Sequence, residues 1–174
     1  PAAPPFVPVD VIEQALATRP DVADRLAAAT EVRRTDLAGT LMLYYVVLRE
    51  LAVRSGGFPL DNTATRYQGH GDDEAFNQGV RRYRADPAAA AYLRANADLR
   101  GEPGAPVVIL SNVYDQTVQP RFGTRYADLA AAAGRADAVT TLPAQGDGHC
   151  NFDLDAVAAA FAALRARAED REAR

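Results

Sequence analysis

Asp115 closes the segment Pro106-Val107-Val108-Ile109-Leu110-Ser111-Asn112-Val113-Tyr114, and His149 follows 34 residues later in Gly148-His149-Cys150-Asn151-Phe152. A carboxylate just past an apolar run, then an imidazole in a glycine-flanked loop, is the acid and base half of a nucleophilic triad. In such a set the carboxylate fixes the imidazole's tautomer and the imidazole takes the nucleophile's proton. Gly146 and Gly148 give the histidine loop freedom to bend. On spacing alone the alternative is a surface aspartate and an unrelated loop histidine. No nucleophile completes the set. Ser55 sits at a helix end beside Gly56-Gly57 with no strand before it, and Ser111 shares the strand of Asp115. Cys150 adjoins His149, and neighbouring loop residues rarely aim at one another. It is the only cysteine, so it reads as a small buried hydrophobe or as one half of a cross-chain disulfide.

His70-Gly71-Asp72-Asp73-Glu74 gathers an imidazole and three carboxylates. Consecutive residues do not converge readily on one ion, and aspartate at a helix start is explained by capping and the helix dipole. No metal or organic cofactor is expected. The net charge of −4 and the absence of a basic stripe argue against nucleic acid as a partner. No apolar run reaches the roughly 20 residues a membrane span needs. All 19 basic residues are arginine, which with the heavy alanine content reads as base composition rather than chemistry. Pro1-Ala2-Ala3-Pro4-Pro5-Phe6-Val7-Pro8 reads as a stiff connector, with cleavage from a longer precursor as its expected origin.

The elements that must hold these residues change character near residue 100. Helices are predicted over 9–18, from Pro20 to about Ala29, over 37–54 behind Asp36 as N-cap, from Asp72 or Asp73 to Arg84, and from Pro87 to about Leu99. On the third, Leu41, Tyr44, Tyr45, Leu48 and Leu51 form an apolar stripe. After Gly101-Glu102-Pro103-Gly104, strands are predicted over 107–110 and 138–142, with helices over 120–134 and from Asp153 through Val157, Phe161 and Leu164. The charged tail from Arg165 is expected to fray. This is an α/β arrangement, a βαβ unit plus a covering helix. Two parallel strands do not stand alone, so further strands are expected from elsewhere. Both site loops would leave the carboxyl ends of neighbouring strands, where open α/β sheets place reactive groups.

Residues 101–164 resemble the C-terminal end of an α/β-hydrolase. Pro106 through Asp115, with Val118 and Pro120 behind it, is similar to the strand-D-x-x-V-x-P segment of that family, and Gly148-His149 to its terminal histidine segment. Gly57-Phe58-Pro59-Leu60-Asp61-Asn62, with Tyr67, Asp72-Asp73, Asn77 and Arg82, resembles the lid region of a bacterial branch. The resemblance implies residues 1–100 as a helical lid and 101–174 as the closing part of the core. It implies Asp115 as the acid, His149 as the general base, and hydrolysis of a carboxylic ester. The family's G-x-S-x-G elbow and oxyanion hole are missing. They are expected on a partner, an N-terminal fragment of the same precursor, which would also bring the missing strands. A peptidase on the same fold and a non-catalytic helical interaction module are the alternatives.

Overall fold

The computed structural model describes residues 7–172, so all but two residues of the Pro1–Pro8 connector lie outside the described part. The chain divides into two compact units, Pro1–Asp98 and Leu99–Arg174.

The first unit is helical: α1 Val9–Thr18, α2 Pro20–Thr30, α3 Leu37–Ser55, α4 Asp73–Gly79 and α5 Pro87–Asn96. Helix α3 packs on α1, α2 and α5. Pro20 and Pro87 occupy first helical turns, where a missing N–H costs nothing. Asp86 caps α5 by accepting the N–H groups of Ala88 and Ala89. Asp36 precedes α3 but does not cap it with its side chain. Its own backbone is helical (φ −101°, ψ −11°), not extended as a capping residue requires. Ala23, Val32, Leu37, Ala38, Met42 and Ala89 are buried. The predicted stripe from Leu41 to Leu51 is only half-buried, and α3 is fully buried only between Leu37 and Met42.

Helix α4 stops at Gly79, short of the predicted Arg84. The residues beyond it are engaged in bonds that a helix would forbid. Asn62 N–H donates to the Tyr83 carbonyl, Asp86 N–H donates to the Phe58 carbonyl, and Tyr83 N–H donates to Asn62 Oδ1 at 2.6 Å. Segment 80–86 is thereby laced to the loop after α3.

The second unit is β1 Val107–Ile109, α6 Arg121–Ala132, a single 3₁₀ turn, β2 Val139–Thr141 and α7 Leu154–Glu172. The strands pair in parallel, Val107 with Val139 and Ile109 with Thr141, as the only sheet among the described residues. Helix α6 packs on β2 and α7 on β1. Asp153 caps α7 through the Ala156 N–H at 2.6 Å. The tail is helical to Glu172 rather than frayed. Arg165 pairs with Glu169 one turn on, Arg167 donates to the Asp137 carbonyl, and Arg171 donates to the Gly104 carbonyl. The stripe of Val157, Phe161 and Leu164 on α7 is only partly covered: Val157 and Phe161 are 46% and 62% exposed, Leu164 is half-buried, and Leu154 ahead of them is 85% exposed. Two three-residue strands offer too little surface to bury it. Each such side chain would contribute about 1.5–3 kcal/mol if removed from water.

Candidate active site

The ladder of β1 and β2 resumes beyond the strands and carries the site. Leu142 N–H donates to the Ile109 carbonyl, Gln145 N–H to Ser111, Val113 N–H to Gly146 and Gly148 N–H to Tyr114, and Tyr114 pairs with Asp147 in a parallel bridge. Between Ile109↔Thr141 and Tyr114↔Asp147 the register shifts by one residue, which the loop around Pro143 absorbs. Asp115 and His149 follow directly and emerge on one sheet edge.

His149 Nδ1 lies 3.1 Å from Asp115 Oδ1 and 3.0 Å from Oδ2. The acceptor-only carboxylate makes Nδ1 the protonated nitrogen and leaves the Nε2 lone pair as the basic position. The Asp115 side chain is 10% exposed and that of His149 is 42% exposed, so the carboxylate is sheltered while the imidazole is half open to solvent. Asp115 Oδ1 also accepts the N–H groups of Thr117 at 2.7 Å and Val118 at 2.8 Å, an Asx turn that fixes the carboxylate independently of the histidine. Burial pushes the Asp115 carboxyl up. The Val118 N–H, the His149 ring and the Thr117 N–H outweigh it and hold it below the usual carboxylate range.

Two further residues shape the site. Cys150 is exposed, and its Sγ lies 3.5 Å from His149 Nε2. The expectation that neighbours would not face one another fails because Cys150 adopts a left-handed backbone (φ 53°), which turns its side chain back over the ring. The second is Asn112, 2% exposed, whose Nδ2 donates to the Gly148 carbonyl at 2.5 Å. The sequence does not reveal this bond, because the partner of Asn112 is 36 residues away. The one signal was a polar amide inside an otherwise apolar run.

The other sequence candidates have local partners. Asp72 caps α4 through the Ala75 N–H, and Asp73 accepts the N–H groups of Gly69 and His70. The His70 ring stacks on Phe76 at 4.1 Å. Among the described residues no group of three or more histidine, cysteine, aspartate or glutamate side chains converges on a metal position. Between α3 and α5, Asn62, Asn77 and Arg82 are tied to backbone groups: Arg82 alone donates to the carbonyls of Asn62, Thr65 and Asn77. Ser55 Oγ donates within its own helix end, to Leu51 and Gly57 carbonyls. No helix is long and apolar enough to cross a membrane among the described residues.

The chain thus comprises a helical unit and an α/β unit, the latter with a small parallel sheet and an aspartate–histidine pair at its edge. Comparison with protein-family models, with curated proteins and with solved structures gives no match.

Proposed function

We propose that Asp115 and His149 are the acid and base of a serine hydrolase acting on carboxylic esters, with the nucleophilic serine supplied from outside these 174 residues. The observation that carries the reading is the orientation of His149: Nδ1 on a buried, turn-fixed carboxylate, Nε2 outward. In the complete enzyme a serine Oγ gives its proton to Nε2 as it attacks the ester carbonyl. The Nε2 proton then passes to the departing alkoxide, and water repeats the sequence on the acyl-serine. Asp115 stabilises the transient imidazolium and stays ionised. The resemblance to an α/β-hydrolase C-terminal segment supports the reading. So do the partly uncovered apolar face of α7 and the two-stranded sheet, which suit a unit completed by further strands. An N-terminal fragment of the same precursor, carrying G-x-S-x-G and the oxyanion donors, is the expected partner, and the helical unit is assigned as the lid.

Intact mass spectrometry of the native protein under denaturing conditions tests this first. A second species, or a longer polypeptide, bearing the serine elbow is expected, and a lone 174-residue species folding as a stable monomer points to the non-catalytic module instead. In the active assembly, His149→Ala lowers kcat/KM on a p-nitrophenyl ester by roughly three to six orders of magnitude while the complex stays folded. A peptidase of the same fold would show that loss on a peptide anilide.

The Cys150 contact favours a second reading, in which the thiol itself attacks the carbonyl carbon. Nε2 takes the S–H proton, a thioester forms, and the proton leaves with the alcohol. Cys150→Ser separates the two. Turnover within about threefold of wild type fits an external serine, and a collapse comparable to that of His149→Ala fits the thiol.

A further inference from the structure

We infer that Asn112 is a positioning residue for the acid–base pair: its amide grips the peptide that joins Gly148 to His149 and so holds the imidazole on Asp115. This rests on the reading of Asp115 and His149 as that pair. Gly148 is held from both sides by the segment that carries the acid. Its N–H donates to the Tyr114 carbonyl at 2.9 Å, and its carbonyl accepts Asn112 Nδ2 at 2.5 Å. The gripped carbonyl belongs to the peptide unit immediately before the His149 Cα, so its rotation would swing the imidazole off the carboxylate. Gly148 has φ +106°, a region side chains rarely adopt and one with no strong preference of its own. From within the loop only the Asn151 N–H, among the described residues, reaches the same carbonyl, at 3.4 Å, so the shorter Asn112 and Tyr114 bonds are the main restraint on its conformation.

The other half of the amide shows what Asn112 is for. Oδ1 is buried and accepts no hydrogen bond among the described residues. A buried carbonyl without a partner is a cost to stability. Flipping the amide offers no relief, because Oδ1 would then face the Gly148 carbonyl oxygen. Nor is there room to turn it elsewhere. A Cβ on Gly146 would lie 2.9 Å from Oδ1 and 2.1 Å from the Asn151 carbonyl oxygen, so the loop backbone already closes over it. An apolar side chain of similar size would relieve the stranded oxygen. For stability the stranded oxygen and the Gly148 bond work against each other, whereas the hold on the peptide before His149 gives the asparagine a reason to be here.

The test is Asn112→Leu in the full chain, with Asn112→Asp as a second variant that keeps the shape but, when ionised, loses the donor. The primary readout is the tautomer of His149 from long-range 1H–15N NMR, and His70, the only other histidine, serves as internal reference. Wild type is expected to hold His149 with the proton on Nδ1. In Asn112→Leu the Nδ1–H population falls, the His70 signals stay put, and the chain stays folded, the lost Gly148 bond being offset in part by the relieved oxygen. In the active assembly kcat falls about 10- to 100-fold with KM little changed, the scale of a misplaced catalytic group. Should Asn112→Leu fail to fold, Asn112→Asp carries the same tautomer test. Retention of the Nδ1–H tautomer in whichever variant folds overturns the inference, as does a tautomer change that appears only with loss of the folded state. If the wild-type assembly hydrolyses no ester or amide, the hydrolase reading falls, and the tautomer readout still decides the positioning claim.

Discussion

The loop region between α3 and α5 and the loops beyond β1 and β2 are built by the same device, side chains hydrogen-bonding backbone, yet they end in different states. Around Asn62, Asn77 and Arg82 the polar groups point inward to the loop. Asn62 both donates to the Arg81 carbonyl and accepts the Tyr83 N–H, and Asn77 donates to the carbonyls of Tyr67 and Asp73 while accepting the Tyr67 N–H. Arg82 spreads one guanidinium over three carbonyls and lies 5.6 Å from the Tyr67 ring centre. That network is consumed by its own architecture. In the second region Asp115 secures a turn and a ring, but among the described residues one ring nitrogen faces only a thiol at 3.5 Å and one buried amide oxygen has no partner. A polar cluster whose groups all serve the backbone is a scaffold, whereas leftover capacity marks the place where chemistry can be done.

The strongest way to break this contrast is to exchange the phenotypes. His149→Ala should remove activity by several orders of magnitude and leave thermal unfolding within a degree or two, because an outward-facing ring contributes little to folding. Arg82→Ala should do the reverse. Losing its carbonyl bonds costs about 1–3 kcal/mol of folding free energy, read from urea unfolding, with little change in kcat. Equal effects of the two on both readouts would erase the distinction.

Acid offers a gentler probe. The Asp115 carboxyl is held below its ordinary value, so its contribution is fully present above that value and fades as pH falls through the lower folded value. Chemical shifts of the Thr117 and Val118 amides should therefore titrate below pH ~4, the ordinary carboxylate value. Asp61 is depressed in the same sense by the Thr63 hydroxyl and the N–H groups of Thr63 and Ala85. It is exposed, and its titration should be local to that loop. A site amide titrating above the ordinary carboxylate value would contradict the sign.

Much of this organisation could be read without coordinates, for identifiable reasons. Pro20, Asp86 and Pro87 carry their own stereochemistry, so the starts of α2 and α5 follow from single residues. The approach of Asp115 to His149 follows from two short parallel strands, since parallel neighbours send their following loops to one edge. What was not legible depends on partners distant in sequence. The early end of α4 is set by bonds reaching back to Phe58 and Asn62, and the helical tail by arginines reaching Asp137 and Gly104. The role of Asn112 depends on a carbonyl that only the folded ladder brings near. The aim of the Cys150 thiol depends on one backbone torsion, which composition does not encode for a non-glycine residue.

The two arginines at the end of α7 have a mechanical consequence. Gly104 lies just before β1 and Asp137 just before β2, so Arg171 and Arg167 bolt the incoming ends of both strands to a single rod. The aspartate and histidine occupy the outgoing ends. The unit is built like a clothes peg, pinned at the back with its jaws at the front. Trimming the tail would loosen the pin before it touched the jaws, so the strand starts would fray first while the aspartate and histidine still met.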